Sequence, residues 1–350
     1  MILDAHCDAP SQMLRLRDYA LDNDHAQVDF PKMRRGGVDA SFFALYIPAS
    51  LKGNDATAYA RKLLSVLKAQ LAASSDEAAL ATSAAEVLKN KEEGRLSVLV
   101  GMENASAIQE DFSLLEEFYK EGVRYVTLTH SADNQVGDSC TGSGLWGGLS
   151  PFGKKLVREM DSMGMLVDLA HASEDTMRDV LDISVRPVLD THCCCKALCK
   201  HRRNISDELL RGIAEGGGVV GMSIYPLFLS DSFATIYKAS GLSSESWIED
   251  EFIADPSDPE RRLSWYGLLD RLSALKRPGV DVVADHVMHA IEVAGEDHVG
   301  FGTDYDGIEF TASGMETIAD FHVLLDELKA RGMGEKSLKK LSWENFLRLL

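Results

Sequence analysis

The sequence predicts a (β/α)8 barrel of the TIM type, an α/β fold, and three observations carry that expectation. Eight short apolar runs rich in β-branched residues recur along the chain, and helix-like stretches follow most of them. Their nearly continuous hydrophobicity suits strands buried on both faces of a parallel sheet. A doubly wound sheet would normally carry a glycine-rich phosphate turn after its first strand, and MILDAHCDAP has none.

Taken in order, the runs are ILDAHCD (2–8), ASFFALYI (40–47), LSVLVGMEN (96–104), RYVTLTH (124–130), GMLVDLAH (164–171), RPVLDTH (186–192), GGVVGMSIY (217–225) and HVGFGTDYD (298–306). Helix candidates between them include 56–73, 112–122, 151–164, 173–182 and 206–217. Ser150 before Pro151 reads as an N-cap with proline in the first turn, and Ser173 marks another start. Gly122, Gly164 and Gly216 fall where helices end. The 350 residues read as one barrel domain, 1–350, with an insertion at about 226–278 between strands seven and eight.

Composition narrows the function. Apolar residues make up 45% of the chain, enough for a large core. Lys and Arg number 36 against 55 Asp and Glu, a net charge of −19 that repels nucleic acid and anionic membranes. No secretory signal pattern precedes the first strand, and no apolar run reaches the ~18 residues of a membrane span. Six cysteines, four of them crowded into 193–199, do not make a disulfide framework in a chain this long. The expectation is a cytoplasmic protein with a small-molecule substrate.

In such barrels the active site lies at the C-terminal ends of the strands. Those ends hold His6 and Asp8, Glu103, His130, His171, His192 with Asp190, and Asp304 with Asp306, while Tyr46 and Tyr225 end the other two. One strand-end histidine is ordinarily structural; six strands finishing in metal-capable or proton-transferring groups point to a metal hydrolase. Alternation lets His6 and Asp8 share a face and turns Cys7 toward the helices. By the same rule Asp190 shares a face with His192 and could orient its ring. Histidines with carboxylates suit zinc or a similar first-row ion. His171 and His192 could form a second cation position, with Glu103 as the bridging carboxylate. Paired ions of this kind activate water and polarise a carbonyl or phosphoryl group.

A rival metal site at HCCCKALCKH (192–201) lacks the Cys-x2-Cys spacing that wraps an ion. TDYDG (303–307) lacks the remaining ligand positions of a calcium loop.

Together the motifs resemble the membrane (renal) dipeptidase family of zinc peptidases, within the amidohydrolase-like barrels. DAHCD, GMEN, RYVTLTHSADN, GLSPFGKKLV, LVDLAHAS, THCCCKALCKHRRN, GFGTDYDG and ENFLRLL follow the family's order over nearly the whole chain. The resemblance implies a binuclear zinc enzyme, usually a homodimer, that hydrolyses dipeptides by a hydroxide shared between the ions. Some family members accept a D-residue on the C-terminal side. By position, His6 and Asp8 would hold one zinc, His171 and His192 the other, and Glu103 would bridge. His130 would contact the scissile carbonyl region, Arg203 the substrate carboxylate, and Asp304 would handle the proton. Tyr225 is a further expected substrate contact. Two departures sit beside ligands without removing one: Cys193 and Cys194 where small polar residues are common, and Cys7 for an Asn-type residue.

Other barrel functions fit the sequence less well. A lactonase or phosphotriesterase-like barrel often bridges its metals with a modified Lys at the end of strand four, which here reads THS. A deaminase usually opens on His-x-His, where this chain has His-x-Asp. A non-catalytic metal- or ligand-binding barrel would have lost one of Glu103, His130 or Asp304, and all three are present.

Overall fold

The computed structural model describes residues 1–350. Nine parallel strands form: β1 (Leu3–Cys7), β2 (Ala40–Tyr46), β3 (Ala78–Leu80), β4 (Leu96–Glu103), β5 (Val123–Thr127), β6 (Leu166–Asp168), β7 (Leu189–Cys193), β8 (Val219–Met222) and β9 (Val299–Phe301). β1 pairs with both β2 and β9, and β2 pairs with β4, so eight strands close into a (β/α)8 TIM barrel. The ninth, β3, is the one the sequence does not announce. It pairs with β4 from Leu96 to Val98, and β5 takes over along β4 from Val100. Three residues are too few to show a period.

The helix signals explain where the connections start and stop. Ser150 accepts from Gly153 N at the head of Pro151–Met163, and Gly164 ends that helix in the left-handed region at φ 74°. Ser173 accepts from Thr176 N at the head of Glu174–Ile183. After Asp207–Glu215 the expected cap is displaced by one residue: Gly216 has φ −76°, and Gly217 takes the left-handed turn at φ 77°.

Two cores stabilise the barrel. Inside it, Leu3, Phe42, Leu99, Tyr125, Leu166, Leu189 and Val219 pack together, and Phe346 and Leu347 of the C-terminal segment join them. A larger shell lies between strands and helices and includes Cys7, Phe43, Val100, Cys193 and Met222. Each fully buried Leu, Val or Phe contributes roughly 1.5–3 kcal/mol from lost water contact. Within 226–278 the chain forms the helices Pro226–Leu229, Asp231–Ser240, Trp247–Ala254 and Pro259–Ser273. They bury Phe233, Ile248, Phe252 and Trp265 against Phe310, which follows β9. Arg15, after β1, binds Glu249 of this segment at 3.2 Å. No helix is long and apolar enough to cross a membrane.

Candidate metal centre

The polar cluster stands where strands end, but the strands stop earlier than alternation suggests. β5 ends at Thr127, β6 at Asp168 and β9 at Phe301, so His130, His171 and Asp304 lie in the loops beyond. His171 and Asp304 are aimed by left-handed backbone, at φ 66° and 67°, a conformation that costs a non-glycine residue free energy. Asn104, immediately after Glu103, has φ 85°.

His6 and His192 are aimed differently. The register slips between Asp4 and Cys7 on β1, and again between Asp190 and Cys193 on β7. A bulge re-aims side chains, so simple alternation does not govern either histidine. Asp8 lies outside the strand altogether, as the residue that precedes helix Ala9–Leu14. Asp190 is therefore corrected: its carboxylate is buried and makes no hydrogen bond to the His192 ring. Burial pushes its carboxyl up to about 7. The Nδ1 of His192 instead lies 3.0 Å from Thr191 Oγ1.

The site residues converge on Glu103. His171 Nε2 lies 3.0 Å from Glu103 Oε1, and His192 Nε2 and His130 Nε2 stand 3.6 and 3.8 Å from the same oxygen. His6 Nε2 faces the other oxygen at 3.7 Å, Asp8 at 3.6 Å and Asp304 at 3.9 Å. The Nε2 atoms of His171 and His192 are 3.0 Å apart. His6, His192 and Glu103 form the floor, with side chains no more than 3% exposed; Asp304, His171 and His130 open toward solvent at 12–18%.

Electrostatics match this donor set. Burial works against a charge on His6, but Glu103 and Asp8 outweigh it and hold its imidazole well above the usual range. Burial likewise works against Glu103, yet His6 and His171 hold it well below the usual carboxylate range. Burial keeps His171 and His192 well below the ordinary imidazole value, hence neutral with a lone pair to give. Asp8 is pushed up to about 6 by burial and by Glu103, and burial raises Asp304 well above the carboxylate range. The carboxylates of Asp8, Glu103 and Asp304 outnumber the positive charge that His6 brings to them. His6 Nε2 and Asp8 Oδ1 are buried with no hydrogen-bond partner, which is costly unless a cation takes them. The residues present fit divalent ions: His6, Asp8 and Glu103 bring ligand atoms within 4.8 Å of one another, as do Glu103, His130 and His171, and His6, His192 and Asp304.

Arg203 is 5% exposed, and its Nη2 donates to His192 O at 2.9 Å. Its Nε and Nη1 are buried without partners. Tyr225 is turned otherwise: its hydroxyl donates to Glu309 at 3.3 Å and its ring packs on Phe228 and Phe310. The cysteines stand apart, and none belongs to these ligand groups. Cys7 lies in the outer core, Cys194 Sγ donates to Ser223 O, and Cys195 Sγ to His286 O. Sequence reasoning missed Tyr125, whose hydroxyl is 2.8 Å from His6 Nδ1, and Asp168, which accepts from Thr191 and Thr127. Both lie within quoted strand runs, yet nothing local shows that their partners come from other strands.

Comparison with known proteins decides the family. The family model for membrane dipeptidase, peptidase family M19, matches residues 1–350. The chain belongs to this family, and it is a metallopeptidase-type hydrolase with dipeptidase relatives. Dipeptidase verJ of Clonostachys rogersoniana is 31% identical over 93% of this chain and 75% of its own. The crystal structure of the metallopeptidase dipeptidase AC, of family M19, superposes with a TM-score of 0.82 at 25% identity, covering 99% of this chain and 97% of that one. A metallopeptidase from Rhodobacter sphaeroides, liganded with a phosphinate mimic of L-Ala-D-Ala, shares the fold at 0.82 and 24% identity over 99% and 97% of the two chains.

Proposed function

We propose that this M19 dipeptidase holds two zinc ions, one at His6, Asp8 and Glu103 and one at Glu103, His171 and His192, and cleaves dipeptides there. The observation that carries the reading is the convergence of these donors on Glu103, with His6 Nε2 buried and unpartnered. When bound, such ions lower the pKa of water toward ~7 and polarise a carbonyl. The remaining work falls to the chain. Arg203, with two N–H groups unspent beside His192, takes the substrate's carboxylate; a guanidinium suits that planar group better than an ammonium. This fixes the peptide carbonyl beside His130, whose neutral ring, kept so by burial, donates a hydrogen bond to the carbonyl oxygen as charge develops. Asp304, at the open side of the cluster, accepts the proton of the attacking water and returns it to the leaving amine.

The substrates are dipeptides with a free C-terminal carboxylate, including L-Xaa-D-Xaa, the class mimicked in the Rhodobacter metallopeptidase that shares this fold. We read 1–350 as one catalytic domain with 226–278 inserted, and Tyr225, whose hydroxyl meets Glu309, as a substrate contact. A cytoplasmic homodimer accords with six free cysteines and with the family resemblance. A panel of L-L and L-D dipeptides, run beside lactones, phosphotriesters and purines with metal analysis of the same preparation, tests the function. Turnover confined to dipeptides with two ions per chain is expected; turnover of another class instead refutes it.

A further inference from the structure

His6 and His192 approach the same carboxylate from unlike supports. Behind His192, Thr191 Oγ1 lies 3.0 Å from Nδ1 and donates to Asp168 Oδ2 at 2.9 Å. Asp168 is itself fixed by Thr191 N at 2.8 Å and by the Thr127 hydroxyl. The Nδ1 of His6 is not bonded to a threonine hydroxyl of that kind. It meets the Tyr125 hydroxyl at 2.8 Å, and both residues are fully buried.

The fold is built around that phenol. From β5 the Tyr125 ring crosses the barrel interior, packing on Phe42 at a centroid distance of 4.9 Å. It also covers Gly101 of β4: a Cβ there would fall 2.0 Å from Tyr125 Cζ. Any larger residue at 101 would displace the ring and with it the hydroxyl.

We propose that Tyr125 is a positioning residue: its phenolic oxygen accepts the Nδ1–H of His6 and thereby fixes the tautomer whose Nε2 lone pair faces Asp8 and Glu103. The proposal rests on reading His6 as a ligand. As a ligand His6 gives up the proton of one nitrogen, and the neutral imidazole then carries one proton. Were the phenol to donate to Nδ1, that proton would sit on Nε2, the atom aimed at the carboxylates, and His6 could not ligate. With Nδ1–H donating, Nε2 is free, and the hydroxyl proton rotates off the Nδ1 axis. The two cation positions are therefore separable, one governed by Tyr125 and the other by the Thr191–Asp168 relay.

The test is Tyr125→Phe, which keeps the ring and removes only the oxygen. Metal-free protein is titrated with Zn2+ against a chromophoric chelator, and histidine 15N spectra are taken of the loaded protein. One of two binding steps should weaken about 10–100-fold while the other holds, and Thr191→Val should weaken the opposite step. A slowly exchanging Nδ1–H of His6 should be present in the unaltered protein and exchange faster in Tyr125→Phe. Two unchanged steps in Tyr125→Phe overturn the proposal, as does an equal loss of both with a lowered melting temperature. Two ions bound without dipeptide turnover would refute the proposed reaction and leave this test standing. A protein that binds no ion overturns both.

Discussion

A methyl group at residue 307 would disturb the centre without touching any of its ligands chemically. A Cβ on Gly307 falls 2.1 Å from Asp8 Oδ2 and 2.6 Å from Asp304 Oδ1. Gly307 does not have the left-handed φ that would itself strain an alanine. The strain of Gly307→Ala thus falls on two short carboxylates. Asp8 must retreat by about 1 Å to reach the closest distance real Cβ atoms show, and it has only one methylene with which to do so. A displacement of that size in a reacting constellation costs on the order of 100-fold, or about 2.7 kcal/mol of barrier. The assay is kcat/KM for a dipeptide with metal content and thermal midpoint measured on the same protein. A fall of about 100-fold with the midpoint within about 5 °C is expected. Gly334→Ala is the control, since nothing lies within 4 Å of a Cβ there, and it should be indistinguishable from the unaltered protein. Full activity in Gly307→Ala would mean that neither Asp8 nor Asp304 has to stand where the structure has it.

The remaining predictions address the proposed roles one at a time. Asp304→Asn should lower kcat by about 10²–10⁴-fold with both ions retained, and loss of an ion would make Asp304 a ligand instead. Arg203→Lys keeps the charge but loses the planar fork; KM should rise about 10–100-fold with kcat nearly constant, and an unchanged KM would remove Arg203 from substrate binding. A dipeptide whose C-terminus is an amide should be a poor substrate for the unaltered protein and should gain little further penalty from Arg203→Lys.

How much of this was legible in the residues depends on the distance over which each feature is determined. The barrel was legible because buried parallel strands write their own signature, from ILDAHCD to HVGFGTDYD. β3 was not, since Ala78–Leu80 is held by pairing with Leu96–Val98 and has no pattern of its own. The converging polar residues were visible as residue types at strand ends. Their orientation was not: His171 and Asp304 turn on left-handed backbone, and His6 and His192 follow register slips that alternation does not anticipate. Asp190 was misread for that reason. Tyr125 and Asp168 stood in plain view in RYVTLTH and LVDLAH, but their partners are 119 and 23 residues away, so only the closed barrel reveals the contacts.

The central claim is that Glu103 is shared by two cations. Anomalous scattering at the zinc edge, from a crystal of the protein prepared with zinc, tests it most directly. Two peaks on either side of Glu103 are expected, one within ligand distance of His6 and Asp8 and one of His171 and His192. A single peak, or peaks at the Cys193–Cys199 segment with none at Glu103, would contradict the account.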